Sequence, residues 1–203
     1  MRLPGLADAI VRIARFAERA GTVGPRDRQA KKFAAFGDGS ALVFPPGAIF
    51  GERFIRIGAG TLIGPHVTMS AGLFGEDLGP KLPGKDWALR IGDRCSIGRD
   101  SFFVSRVGID VGDDVTMAPN VYVTDHNHRF DDPTLPIKQQ WMTEAPVVIG
   151  SGSWLAAHTV VLPGARLGRN TVVAAGAVVR AGDYPDYAVL AGVPAKVVKL
   201  TAP

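Results

Sequence analysis

The stretch IGSGSW-LAAHTV-VLPGAR-LGRNTV-VAAGAV-VRAGDY, residues 149–184, is a run of six consecutive hexads. Each hexad begins with Ile, Leu or Val, and a small residue usually follows. The fifth position of one hexad and the first of the next are two residues apart, so both side chains point to the same side of a short strand. The period therefore predicts a series of short strands that share one apolar core.

The same period organises the chain upstream of residue 149. Hexads are found at 57–74 (IGAGTL, IGPHVT, MSAGLF), 91–108 (IGDRCS, IGRDSF, FVSRVG) and 111–128 (VGDDVT, MAPNVY, VTDHNH), and we interpret Ile109 and Asp110 as a two-residue insertion. A small second residue allows a tight corner, so that three strands close one triangular coil. Coils stacked about 4.8 Å apart form an all-β parallel β-helix. A β-sandwich, with strands spaced by about 8–12 residues, does not produce six hexads in one phase.

The repeats divide the chain into two parts. Residues 41–200 are predicted to form the β-helix, with loops at about 75–90 and 129–146, and residues 1–40 a separate N-terminal segment. Within that segment, apolar residues recur at helical spacing and predict an amphipathic helix over 5–20. We expect this helix to pack on its own or a neighbouring subunit rather than on a membrane. Solenoids carry their chemistry in loops, so the two loops are where a site is expected.

Composition excludes several classes of function. The chain has 203 residues, 46% of them hydrophobic, and a net charge of +4 from scattered basic residues, which does not favour nucleic acid. Cys95 is the only cysteine, so neither an intrachain disulfide nor a multi-cysteine metal site is possible. The N-terminus lacks the apolar run of a signal peptide or transmembrane segment, and we expect a cytoplasmic protein.

The strings MAPNVYVTDHNH, IGSGSWLAAHTVVLPGARLGRNTVVAAGAVV and AGVPAKVVK occur in that order. In the order of these motifs, roughly residues 50–200 resemble the hexapeptide-repeat acyltransferases. The resemblance is greatest to the branch that includes galactoside, maltose and nodulation O-acetyltransferases and polysaccharide-modifying enzymes. The resemblance implies a left-handed β-helix and a homotrimer with active sites between subunits. It also implies an acyl group, acetyl above all, transferred from acetyl-CoA or another acyl-CoA to a hydroxyl of a sugar or glycan-type acceptor.

In that family the general base is a histidine where a coil exits into the long loop, and TDHNH offers His126 there. His126 occupies the fourth position of its hexad, so its imidazole is expected to project from the prism. Imidazole titrates near neutral pH and can accept the proton of an attacking hydroxyl. His128 could serve instead. Asp125 is adjacent to His126 and should point to the opposite face of the strand, so a carbonyl or an acid from the loop is at least as plausible an orienting group. The loop acids are Asp131, Asp132 and Glu144.

Matching positions suggest further roles, all of which depend on the resemblance. The acceptor would contact His128, Asp110 and Trp154. The pantetheine arm of coenzyme A would contact the backbone at Ala157 and Ala175. The phosphates of coenzyme A would contact Arg180, Lys196 and Lys199. Cations at those three positions suit an anionic cofactor. No metal is required.

Two other classes of protein remain open. A γ-type carbonic anhydrase shares the prism and binds zinc, which needs three suitably placed ligands. The spacing of His126 and His128 with His66 or His158 does not reproduce that family's pattern. A non-catalytic assembly module could use the same solenoid, but it would need neither TDHNH nor cations for phosphate groups.

Overall fold

The computed structural model describes residues 5–72 and 83–202. Within these ranges the chain forms one α-helix, α1 (Leu6–Gly21), short 3₁₀ turns at Ala30–Lys32, Glu52–Phe54 and Ile137–Gln139, and a succession of short strands. The first predicted loop, 75–90, lies partly outside the described residues; its last part leads through the buried Trp87 into a strand that begins at Leu89.

The strands form three sheets, which we number in the order in which the chain visits them. Sheet 1 contains β1 (Ala35–Phe36), β4 (Ile55–Ile57), β7 (Leu89–Ile91), β10 (Ile109–Val111), β15 (Val147–Ile149), β18 (Ala165–Leu167) and β21 (Gly182–Tyr184). Sheet 2 contains β2 (Ala41–Leu42), β5 (Leu62–Ile63), β8 (Ser96–Ile97), β11 (Thr116–Met117), β16 (Trp154–Leu155), β19 (Val172–Val173), β22 (Ala188–Gly192) and β23 (Ala195–Leu200). Sheet 3 contains β3 (Ile49–Phe50), β6 (Thr68–Ala71), β9 (Phe102–Ser105), β12 (Tyr122–Thr124), β17 (Val160–Val161) and β20 (Val178–Val179). Strands β13 (His126–His128) and β14 (Met142–Glu144) form a separate antiparallel hairpin.

The three sheets are the faces of a parallel β-helix. The chain passes from sheet 1 to sheet 2 to sheet 3 and back, and each strand pairs in parallel with the strand one coil away, as Trp154 does with Val172 and Val160 with Val178. Among the described strands of the three sheets, only β23 runs antiparallel, against β22, and it closes the end of sheet 2. The prediction of an all-β solenoid from the six-residue period is confirmed.

The core contains the residues that the period predicts. The first-position residues of the six continuous hexads are buried: Ile149, Leu155, Val161, Leu167, Val173 and Val179. The fifth position is buried in the first five of these hexads and is often polar, as at Ser153 and Thr171, whereas Asp183 of the last hexad is exposed. Ser153 Oγ accepts a hydrogen bond from the Thr171 amide at 3.1 Å and donates one to the Gly168 carbonyl at 3.2 Å. Polar side chains at this position therefore join neighbouring coils at a corner.

The corners depend on two different residues of the hexad. The second residue is small because the next coil lies close: a Cβ on Gly98 would collide with the backbone of Ala118. The fourth residue carries the left-handed backbone, with φ of +62° at Asn120, +52° at Asn170 and +73° at Gly152. Asn and Gly tolerate this conformation better than other residues. The turn is thus made at position four, and position two provides the clearance.

The two-residue insertion lies elsewhere than the sequence suggested. Ile109 and Asp110 are ordinary strand residues, paired with Leu89 and Arg90 of the previous coil, so assigning them as the insertion was wrong. The extra residues lie in the corner 105–108, between the inward-facing Phe103 and Ile109. That corner joins sheet 3 to sheet 1. We call the corner between sheet 3 and sheet 1 the loop corner of each coil. In the chain, both predicted loops also lie between a strand of sheet 3 and a strand of sheet 1: the first between β6 and β7, the second between β12 and β15.

Helix α1 stands apart from the prism. It covers the region predicted as an amphipathic helix, yet none of its residues is buried, so packing on its own subunit is not observed. Its connection to the first coil runs through Val23, which forms an antiparallel bridge with Leu42. Among the described residues, no helix is long and apolar enough to cross a membrane.

Candidate active site

The candidate site begins where the chain leaves the fourth coil. Strand β12 ends at Thr124, and the next residues do not turn as the other hexads do. Instead the chain forms the hairpin of β13 and β14, in which His126 pairs with Glu144 and His128 with Met142. It then rejoins sheet 1 at Val147. Of the hexad VTDHNH, only Val123 and Thr124 therefore belong to the coil. His126 lies in a strand of the hairpin and not at a corner.

Asp125 is buried at the base of this hairpin. Its carboxylate accepts hydrogen bonds from Ser105 Oγ (2.8 Å) and from the backbone amides of Arg106 (2.8 Å), Val107 (2.8 Å) and Gly108 (2.7 Å). All four donors belong to the enlarged loop corner one coil earlier. Burial alone raises the pKa of the Asp125 carboxyl, but the hydrogen bonds from His126, Arg106, Ser105 and Gly108 outweigh burial and lower it. Asp125 is thus a carboxylate at neutral pH.

Asp125 also holds His126. Oδ1 of Asp125 lies 3.0 Å from Nδ1 of His126, whose side chain is largely buried. A carboxylate only accepts hydrogen bonds, so Nδ1 carries the proton, and Nε2 of the neutral ring keeps its lone pair. The expectation that the two residues point to opposite faces was wrong, because strand alternation does not extend across the junction between β12 and β13.

The loop acids considered as alternatives are engaged elsewhere. Asp131 pairs with Arg129 (2.7 Å), and Asp132 accepts hydrogen bonds from Thr134. Glu144 pairs with Arg106 Nε at 2.6 Å. The Arg106 side chain is buried and lies under the ring of Trp141, 5.4 Å from its centroid. This ion pair ties β14, and with it the hairpin that carries His126, to the prism.

A cleft of about 300 Å³ opens beside the hairpin. Its lining comes from the hairpin and from the loop corners of the next two coils: Asn127, Thr143, Glu144, Ala145, Leu162, Pro163, Arg180 and Ala181. Arg180 is exposed at this cleft, and its carbonyl accepts a hydrogen bond from Tyr184 Oη at 3.1 Å. Arg180 and the hairpin that carries His126 therefore line the same cleft within one chain.

The remaining sequence-predicted residues lie apart from this cleft. Trp154 is half-exposed on sheet 2, while Ala157 and Ala175 lie at the corner between sheets 2 and 3. The Ala157 carbonyl accepts the Gly176 amide at 2.9 Å, which is a contact between coils. Lys196 and Lys199 are exposed on β23.

Two predicted acceptor contacts also have defined positions. Asp110 is on sheet 1, where it accepts a hydrogen bond from Arg90 Nη1 at 2.8 Å. His128 is exposed further along β13. Among the described residues, no three His, Cys, Asp or Glu side chains are grouped so that they could hold a metal ion.

Sequence reasoning missed the carboxylate-binding corner at Ser105–Gly108. The available signal was the shift of two residues in the repeat phase, which marks an enlarged corner. From the sequence alone, the two extra residues could be assigned to several neighbouring positions. Nothing in the local sequence connects the enlarged corner with Asp125.

Comparison with known proteins agrees with this architecture. Residues 146–181 match the family described as bacterial transferase hexapeptide (six repeats), and residues 88–125 match the hexapeptide repeat of succinyl-transferase. An N-acyltransferase from Bacillus cereus has a similar fold, with a TM-score of 0.72 at 18% identity over 90% of this chain and 91% of that one. A maltose O-acetyltransferase from Clostridium difficile gives a TM-score of 0.56 at 20% identity, over 97% and 86% of the two chains.

Three curated relatives share more sequence with this chain. A probable acetyltransferase of Mycobacterium tuberculosis is 46% identical over 112 residues, covering 55% of this chain and 37% of that protein. A putative lipopolysaccharide biosynthesis O-acetyl transferase of Escherichia coli is 39% identical over 98 residues, covering 45% and 50%. Galactoside O-acetyltransferase of E. coli is 32% identical over 114 residues, covering 53% and 55%. The chain thus spans about half the length of these relatives, or less.

The repeats, the sheet topology and the hairpin at the loop corner define a parallel β-helix of the hexapeptide class. Residues 88–125 and 146–181 match hexapeptide repeats, and about half of the chain is similar in sequence to proteins described as acetyltransferases.

Proposed function

We propose that this protein is an acyl-CoA-dependent O-acyltransferase, most simply an O-acetyltransferase, in which His126 is the general base. The observation that carries the proposal is the Asp125–His126 pair. A buried carboxylate fixes Nδ1 of the imidazole at 3.0 Å, and Nε2 is then the proton acceptor. This is the arrangement that general-base catalysis requires, and it typically contributes about 10²- to 10⁴-fold in rate.

The reaction needs no covalent enzyme intermediate. The acceptor hydroxyl oxygen attacks the carbonyl carbon of the thioester while its proton passes to Nε2 of His126. The new C–O bond replaces the C–S bond, and the departing thiolate takes up the proton to leave as coenzyme A. Asp125 remains ionised throughout and stabilises the imidazolium that forms in the transition state.

A sugar or glycan hydroxyl is the acceptor class that we favour. Two of the curated relatives are described as O-acetyl transferases, one of galactosides and one of lipopolysaccharide biosynthesis. The B. cereus neighbour is described as an N-acyltransferase in complex with a dTDP-linked amino sugar and coenzyme A. Its resemblance is one of fold alone, so an O-linked product has the stronger support.

The predicted site residues lie on two different sides of one chain, which supports the proposal of a homotrimer with active sites between subunits. His126 and Arg180 lie on the loop-corner side of the prism, whereas Trp154 is on sheet 2. Lys196 and Lys199 also lie on sheet 2, and Ala157 and Ala175 lie at the corner between sheets 2 and 3. A neighbouring subunit that presents this side to the loop corner would add the pantetheine contacts and the phosphate-binding lysines. The left-handed coil and a cytoplasmic location belong to the same proposal, by the same family resemblance.

The proposal is tested by measuring acceptor-dependent release of coenzyme A. Acetyl-CoA and succinyl-CoA should be offered with hydroxyl-bearing sugars, nucleotide sugars and their amino-sugar counterparts, with the His126→Ala protein as blank. We expect release with at least one hydroxyl acceptor and an ester product by mass spectrometry. Release that is equal in wild type and blank, or an amide as the only product, would contradict the proposal.

A further inference from the structure

Helix α1 presents a continuous apolar face to solvent. The face is formed by Leu6, Ile10, Ile13 and Phe16, with alanines beside them. The exposed fraction rises from 48% at Leu6 to 73% at Phe16, and no residue of the helix is buried. These residues recur at the helical period and therefore lie along one side. An apolar side of this size, left uncovered by its own chain, calls for a partner.

The opposite side of α1 is charged, with an excess of arginine. Arg12, Arg15 and Arg19 lie there together with Asp8 and Glu18. A helix with aromatic and aliphatic residues on one face and arginines on the other has the pattern of helices that lie in the plane of a membrane surface. At 16 residues, α1 is about 24 Å long.

The positive charge of the chain is concentrated in the sequence segment that contains this helix. Residues 1–32 contain eight basic and three acidic residues, whereas residues 33–203 contain fifteen basic and sixteen acidic ones. The prism is thus close to neutral, and the net charge of the protein comes from the segment that carries the apolar face. Anionic lipid headgroups attract such a segment, by about 1 kcal/mol for each basic residue near the surface.

From these observations we infer that α1 binds in the plane of an anionic lipid bilayer, with its apolar face in the headgroup boundary. A second copy of the chain fits less well. Pairing two such helices through their apolar faces would place the arginines on the outer sides of the pair, and the prism, which is close to neutral overall, supplies no net opposite charge for them. The lipid surface meets both requirements, because it receives the apolar side chains and carries the opposite charge.

The attachment point leaves the candidate active site accessible. Val23 and Leu42 exchange backbone hydrogen bonds of 2.9 Å in each direction, which joins the helix to the first coil. The hairpin of His126 leaves the fourth coil, and at about 4.8 Å per coil the two are separated by roughly 14 Å along the prism. The helix could therefore hold the protein at a surface without covering the loop corner.

The inference is tested by co-sedimentation of the full chain with vesicles. Phosphatidylcholine vesicles are compared with vesicles that also contain phosphatidylglycerol. We expect binding at least about tenfold stronger to the anionic vesicles, weakened by added salt. The double variant Ile13→Glu/Phe16→Glu should lose binding, and Arg12→Gln/Arg15→Gln/Arg19→Gln should lose the preference for anionic lipid. Ile137→Glu, at an exposed apolar residue outside α1, is the matched control and should bind as wild type does.

Two outcomes would overturn the inference. One is wild-type protein that stays in the supernatant with anionic vesicles at low salt. The other is a fall in native mass for Ile13→Glu/Phe16→Glu, which would assign the apolar face to a second copy of the chain. Acyl transfer to a water-soluble acceptor, measured without lipid, should be unchanged in this variant, so failure of the membrane inference is distinguishable from failure of the proposed reaction.

Discussion

At the scale of single residues, the Asp125 carboxylate is stabilised by donors that the fold supplies from another coil. Three successive backbone amides and Ser105 Oγ converge on it. Such an arrangement keeps a buried carboxylate ionised. An ionised Asp125 in turn keeps the His126 ring in one orientation and one tautomer.

Replacing His126 with Ala should lower kcat by at least about 100-fold, because the acceptor hydroxyl then loses its proton acceptor. The KM for acyl-CoA should change little, since the imidazole acts on the acceptor in the transition state. Steady-state kinetics with varied acyl-CoA would measure both. His128→Ala is the matched control and should retain most of the activity; an equal loss in the two variants would contradict the assignment of the base.

Asp125→Asn should lower both activity and stability. The folded-state pKa of Asp125 lies below its ordinary value, so its stabilising contribution is present above about pH 4 and is lost as the pH falls through the lowered pKa. The difference in free energy of unfolding between wild type and variant should therefore narrow below about pH 4. Urea unfolding at a series of pH values would measure it. Added salt should leave the difference in place because the group is buried; a difference independent of pH would refute this account.

At the scale of elements, an ion pair ties the hairpin of β13 and β14 to the prism. Arg106 belongs to the enlarged corner 105–108 and Glu144 to β14, and they meet at 2.6 Å. The same corner binds Asp125 through its amides. The enlarged corner 105–108 thus holds both the proposed catalytic pair, Asp125 and His126, and the hairpin that carries His126.

Glu144→Gln should reduce stability by about 1–3 kcal/mol, because the hydrogen bond to the buried guanidinium loses its charge assistance. It should also lower kcat more than it raises KM for acyl-CoA, since the hairpin would hold His126 less firmly. Thermal unfolding and kinetics would be measured together. Asp131→Asn breaks an exposed ion pair on the same hairpin and should change neither stability nor kcat. If both variants behaved alike, the Arg106–Glu144 ion pair would have no special role in holding the hairpin.

At the scale of the whole molecule, the outer faces of the prism differ in chemistry. Sheet 3 presents Phe102 and Tyr122, whose rings lie 6.2 Å apart, with Val160 and Val178 in line. Sheet 1 presents charged pairs such as Arg90–Asp110 and Arg166–Asp183. Subunits that associate would cover the apolar sheet and leave the charged one in water.

The protein should therefore have a mass in solution near three times 21.4 kDa. Phe102→Glu, on the outer side of sheet 3, should shift the mass to that of the monomer and abolish activity, because the neighbour's lysines and Trp154 would leave the site. Light scattering after gel filtration would measure the mass. Arg166→Ala, on the charged sheet, is the control and should remain trimeric. An active monomer would contradict the proposal of sites between subunits.

The sequence by itself determines the prism, because each hexad places its own first and fifth residues inward and this pattern is local. It also places His126 close to the start of a loop, since the repeat stops two residues after it. The tertiary structure decided the rest. Asp125 turns toward His126 because amides from the preceding coil hold it, and the tertiary structure leaves the apolar face of α1 exposed. Such contacts join segments far apart in the chain, and no local pattern records them.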